Sequence, residues 1–176
     1  MAVTSAQAQL VALFNAVNGS VPNALVVADV TFGAVSAYTP ADGGDTRNTK
    51  LIITAAAESA NFIGEKELHY IRLDVADGIG DKTITADQAD WDEDSEVLAK
   101  VNADFQVTHP DDEFALSDLT ITRSDGTGTD KIIAVAIKDG HIKFLGNSLA
   151  QYTIKQEVTK TDLSTTNGEL DGFTIQ

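Results

Sequence analysis

Five short motifs occur twice in this chain, in the same order and 81 to 89 residues apart. Ala16-Val17-Asn18 returns as Lys100-Val101-Asn102, and Asp29-Val30-Thr31-Phe32 as Asp118-Leu119-Thr120-Ile121. Lys50-Leu51-Ile52 returns as Lys131-Ile132-Ile133, and Phe62-Ile63-Gly64 as Phe144-Leu145-Gly146. The tyrosine six residues beyond each glycine, Tyr70 and Tyr152, completes the series. The recurrence predicts a unit of one helix and about three strands, used twice. One helix on three strands is a marginal core, and two such units side by side bury each other's open faces. Gly64 and Gly146 are expected at a bulge or bend where a strand begins.

The periodicity fills in the elements. Thr4-Ser5-Ala6-Gln7 has capping-box spacing, with the hydroxyl of Thr4 at the N-cap and Gln7 at N3. Leu10, Leu13, Phe14 and Val17 form one helix face, and Asn18-Gly19 is a stop, so a helix is expected over about 5–18. Strands are expected over Ala28–Phe32, Lys50–Ala57 and Phe62–Val75, the last with Ile71, Leu73 and Val75 toward the core. Asp77 to Asp81 breaks that strand, and residues 84–94 read as an acidic connector holding the only tryptophan, Trp91. A second helix follows, capped by Asp94 or Ser95, with Val97, Leu98, Val101 and Phe105 on one face. Ala115–Arg123, Lys131–Ile137 and Ile142–Val158 read as strands. The expected class is α+β: two similar units, each one helix on a mainly antiparallel three-stranded sheet. The first unit is placed at 1–83 and the second at 84–160. Residues 161–176 are expected to be an extended tail, with Leu170, Phe173 and Ile175 able to dock on a neighbour.

Charge removes several functions. Twelve Lys and Arg against 27 Asp and Glu give a net charge of −15, which repels nucleic-acid phosphates and anionic membrane surfaces. No apolar run reaches the roughly 18 residues of a membrane-spanning helix, and no basic leader precedes an apolar core, so synthesis in the cytoplasm without a signal is expected. With no cysteine there is no disulfide framework, thiolate metal site or cysteine nucleophile.

No motif assembles a reactive centre. Asp90-Trp91-Asp92-Glu93-Asp94 offers oxygen ligands at alternate positions. However, Ser95 stands where a calcium loop needs its glycine, and Val101 where it needs the bidentate glutamate. A solvated acidic connector at a helix N-terminus fits those residues better. His69, His109 and His141 lack a metal-binding spacing, and no Gly-x-Ser-x-Gly elbow occurs. Gly126-Thr127-Gly128 lacks the Gly-Lys-Ser/Thr of a phosphate loop and reads as a hairpin loop. Carboxylate pairs among Asp111-Asp112-Glu113 and between Asp42 and Asp45 are what chance produces in an acidic chain. No cofactor, metal or catalytic residue is expected. Arg47 and Arg72 stand out because arginine is scarce. Arg72 falls on one strand face with Tyr70 and Asp74, either holding an interface or pairing charges across an exposed sheet face.

Gly44-Asp45-Thr46-Arg47, Phe62-Ile63-Gly64 and Tyr70-Ile71-Arg72-Leu73-Asp74 together resemble the small virion structural proteins of large tailed bacteriophages. In that family a Gly-Asp-Thr-Arg turn leads into an apolar strand, and an aromatic-x-Gly turn into a strand ending Tyr-x-Arg-Leu/Ile-Asp. The resemblance covers residues 10–75 well and the second half weakly. Asn48-Thr49 intervenes after the arginine, and Lys155-Gln156-Glu157 replaces the Arg-Leu-Asp ending. It implies a non-enzymatic virion component, such as a capsid decoration, collar or tail-associated protein. The implied partners are other virion proteins, with many copies or a homo-oligomer in the particle. Arg47, Tyr70, Arg72, Asp74, Leu170, Phe173 and Ile175 are the expected contact residues. The alternative is a module that binds host-surface glycan or calcium.

Overall fold

A computed structural model of the chain describes residues 4–41, 43–158 and 160–169. The first half holds α1 (Ala6–Val17), β1 (Val30–Phe32), β2 (Ser36–Ala37), β3 (Thr49–Ala55) and β4 (Glu65–Tyr70). β3 is central: β1 and β2 pair along one edge and β4 along the other, all antiparallel. The second half holds β5 (Gly80–Ala86), α2 (Asp94–Phe105), β6 (Leu119–Asp125), β7 (Lys131–Ile137) and β8 (Ser148–Gln156). Its strand order is β5-β8-β7-β6, with β5 parallel to β8 and the other pairs antiparallel. The class is α+β with mainly antiparallel sheets, as expected, but each sheet has four strands where three were expected.

The extra strands escaped for physical reasons. β2 is two residues long. β5 reads Gly-Asp-Lys-Thr-Ile-Thr-Ala, with Ile84 its one large apolar residue, so it has no hydrophobic run to announce it. β5 also spans the expected boundary at 83/84 and pairs wholly with the second sheet.

Ser5, not Thr4, caps α1: its Oγ accepts from Ala8 N at 3.2 Å. α1 buries Leu10 and Val11 against Leu25, Val30, Leu51 and Ile53. α2 begins at Asp94, with Asp94 and Glu96 beside the positive end of the helix dipole, and buries Val97, Val101 and Phe105. Its core is larger. Trp91, on a short 3-10 turn (Gln88–Trp91), reaches into it with its ring 5.2 Å from that of Tyr152.

The same hydrogen bonds appear in both halves. Asn15 of α1 accepts from Leu25 N and donates to Leu25 O, at 2.9 and 2.8 Å. Asn102 of α2 does the same with Phe114, at 2.8 and 2.9 Å. Asp29 Oδ2 accepts from Val26 N, and Asp118 Oδ2 from Ala115 N. Asp29 O accepts from Ala56 N, and Asp118 O from Lys138 N. Phe62 N donates to Ser59 Oγ, and Phe144 N to His141 Nδ1. These bonds correct three of the sequence matches. With Ala56 in the place of Lys138, Leu51 aligns with Ile133 and not with Ile132. Asn15, not Asn18, stands where Asn102 stands. β7 places Ile133 opposite Tyr152, while β3 places Leu51 opposite Leu68, so Leu68 and not Tyr70 has the place of Tyr152.

The two glycines act differently. Gly64 has φ +81, a left-handed conformation that side chains strain. Gly146 packs so close to Asp139 that a Cβ would lie 2.7 Å from the Asp139 nitrogen.

The strand expected over Phe62–Val75 covers only Glu65–Tyr70, and beyond it the expected faces are reversed. Ile71 and Leu73 are exposed and Arg72 is buried at 9 % exposure. The chain leaves the sheet because the Asn48 side chain takes both backbone groups of Arg72, accepting from its N at 2.8 Å and donating to its O at 3.0 Å. Residues 71–79 then cross to the second half. There Leu73 N donates to Lys143 O and Leu73 O accepts from Leu145 N, both at 2.9 Å.

Candidate interaction surface

Two features stand out on the finished fold: a polar seam between the halves and an open groove on the first. Arg72 is at the centre of the seam. Its Nε donates to Thr49 Oγ1 at 2.9 Å, and its Nη1 to the backbone oxygens of Asp139, His141 and Phe144 at 2.5, 3.4 and 3.5 Å. Of the two roles open to this arginine, pairing charges on an exposed sheet face is not what it does: it is buried as an internal pin between the halves. Nearby, Lys143 Nζ lies 2.6 Å from Asp112 Oδ1 and donates to Gln9 Oε1 at 2.7 Å, joining α1 to the second half. Asp112, read as one of a chance carboxylate pair, is buried in this cluster. His141 Nδ1 accepts from Lys143 N and Phe144 N, and burial pushes its pKa below the ordinary histidine value.

The open groove, of about 410 Å³, runs between α1 and β4. Leu13, at 61 % exposure, and Val17, at 83 %, wall one side, and Leu68 and Tyr70 the other. β4 pairs with β3 alone among the described residues. Gly64 O accepts from Ala55 N, so alternation turns the backbone groups of Glu65, Glu67 and His69 away from β3. Ile63, just before β4, is 99 % exposed. The Tyr70 Oη is buried without a hydrogen-bond partner among the described residues, and burial pushes its pKa up to about 12.

Of the expected contact residues, Tyr70 lines the groove and Arg72 holds the seam. Arg47, also in the groove wall, is exposed and tied to Asp45, with Nε 2.8 Å from Oδ1 and Nη2 2.6 Å from Oδ2. Those hydrogen bonds hold the Asp45 carboxyl below its ordinary value. Asp74 is exposed and accepts from Asn147 Nδ2 at 2.7 Å. Leu170, Phe173 and Ile175 lie outside the described residues. The acidic segment does not gather: Asp94 pairs with Arg123 at 2.6 Å, and Asp87 caps the turn at Gln88–Trp91. Among the described residues no group of three or more His, Asp or Glu side chains is placed to hold a metal, and no helix is long and apolar enough to cross a membrane.

Sequence reasoning missed Leu13 and Val17, which it assigned to the buried face of α1. It also missed Asn48, Lys143 and Gln9, whose partners are distant in the chain.

A model described as a family of unknown function (DUF7941) matches residues 2–175. No curated protein and no solved structure is similar to the chain.

Proposed function

The chain belongs to that family of unknown function, and we propose that it is a non-enzymatic structural protein of a tailed-phage particle, acting through protein–protein contacts. The observation that carries the contact role is the open first half: a free strand edge, an apolar groove and an exposed Ile63 on one lobe. Exposed apolar surface beside an unpaired strand is what a partner protein covers. The particle itself is suggested by the Gly44–Arg47 and Tyr70–Asp74 motifs. Several described titratable groups pair within structural ties, such as Asp112–Lys143 and Asp45–Arg47, which suits a passive component.

We also read the two halves as copies of one helix-plus-sheet unit. The paired clamps of Asn15 and Asn102, and the matching turns at Asp29 and Asp118, support this. The test of function is mass spectrometry of particles purified from cells making the virus that encodes the chain. The expected result is the chain in multiple copies per particle. Its absence from intact particles overturns the reading.

A further inference from the structure

The second half is covered where the first half is bare. β5 lies along the outer edge of β8, with Lys82 opposite Tyr152 and Ile84 opposite Ile154. Lys82 Nζ sits 3.0 Å from Asp104 Oδ1 of α2, and Tyr152 Oη donates to Asp104 Oδ2 at 2.9 Å. Leu73, on the segment leading to β5, bridges Lys143 and Leu145. The hydrogen-bond correspondences place these sites on the first half. Asp104, two residues beyond Asn102, maps to Val17, two residues beyond Asn15; Tyr152 maps to Leu68; Leu145 maps to Ile63. Every mapped position is apolar, and Val17 and Ile63 are among the most exposed apolar residues of the chain. The piece missing from the first half is a strand along β4.

The chain has a segment of matching pattern. Asp81-Lys82-Thr83-Ile84 of β5 aligns with Gly172-Phe173-Thr174-Ile175, with Thr-Ile in common. In that alignment Phe173 takes the place of Lys82. The polar trio Lys82–Asp104–Tyr152 thus becomes the apolar trio Phe173–Val17–Leu68, complementary at all three positions. Within the chain, the segment that follows one half's last strand joins the next half's last strand. The segment after β8 therefore has its acceptor on another copy. Up to Glu169 the described part of that segment is exposed, and from Lys160 onward its hydrogen bonds are internal to it.

We propose that residues 171–176 of one copy add as a parallel strand to β4 of a second copy, with Phe173 packing between Leu68 and Val17 and Ile175 opposite Tyr70, giving head-to-tail assembly. This rests on reading the halves as copies of one unit.

Sedimentation of the whole chain, from micromolar to near-millimolar concentration, tests it. The mass is expected to rise above the monomer with concentration. Val17→Asp and Phe173→Lys, each alone, should weaken association roughly tenfold or more. Mixing the two variants should restore it, because every contact is then the natural apolar pair or an aspartate–lysine pair of the kind Asp104 makes with Lys82. The double variant in one chain should associate too, which separates a lost contact from a lost fold. A chain that stays at monomer mass throughout, including one whose own tail closes on its own β4, overturns the proposal. So do single variants that associate like the parent, or a mixture that does not recover. Self-association without presence in particles would remove the virion reading alone; presence in particles as a strict monomer would remove this contact alone.

Discussion

Arg72 is a buried cation whose side-chain hydrogen bonds among the described residues all go to neutral oxygens, three of them backbone carbonyls from the other half. Arg72→Met keeps the bulk and removes the donors, leaving buried carbonyls unpaired, and should cost about 2–4 kcal/mol. Arg72→Lys should recover only part of this, since one ammonium cannot reproduce the fork. Chemical denaturation checks both, and a loss well below about 1 kcal/mol would show that the seam does not depend on Arg72. His141 adds a pH dependence. Its Nδ1 accepts two backbone N–H groups, and a second ring proton would face those donors. The folded pKa is lowered, so the folded state binds fewer protons than the unfolded one. The stability from His141 is therefore complete above about pH 6.5 and falls as pH drops through the lowered folded value. Melting temperature should fall between pH 7 and 5 in the parent protein and fall less in His141→Asn, whose amide oxygen can still accept. Parallel curves would remove His141 as the cause.

At the scale of elements, each helix is tied to the loop before its sheet by one asparagine. Asn102 is buried, so Asn102→Ala strands the N–H and C=O of Phe114 and should cost about 2–3 kcal/mol. Asn15 is half-exposed, so water can replace it, and Asn15→Ala should cost about 1 kcal/mol. Thermal melts of the two variants compare them directly, and a reversed order would contradict the burial argument. Periodicity made the helices readable because Val97, Val101 and Phe105 are driven to one side by a core that lies there. It put Leu13 and Val17 on a buried face as well, and there it failed: nothing in the described structure covers that end of α1. The alternation of residues 70–74 misled for a related reason. It looks like a strand with Ile71 and Leu73 inward, yet Asn48, a partner from a distant turn, claims the backbone of Arg72 and turns it in. β5 was hidden because its pairing with β8 is decided by residues 70 positions away, not by its own polar sequence. The recurring motifs lie near the hydrogen bonds that both halves share, but the short matches sit a few residues away from them along helix and strand.

For the whole molecule, charge and exposed apolar surface pull in opposite directions. At −15, copies repel one another over roughly a Debye length, about 8–10 Å at physiological salt. The proposed contact, Phe173 against Leu68 and Val17, is apolar, so added salt should strengthen association by screening the repulsion. Weaker association in high salt would mean that ion pairs hold the copies together. Glu65, Lys66 and Glu67 along the free edge make unselective strand pairing costly, which favours an added segment of matching sequence over random aggregation. The central claim is that this edge is vacant in one copy and filled by another. Residue-resolved amide hydrogen exchange of the full chain, dilute and then concentrated, tests it most directly. The amides of Glu65, Glu67 and His69 should exchange freely when dilute and become protected together with those of residues 173–176 as concentration rises. Protection already complete in the dilute monomer, or none at any concentration, would contradict it.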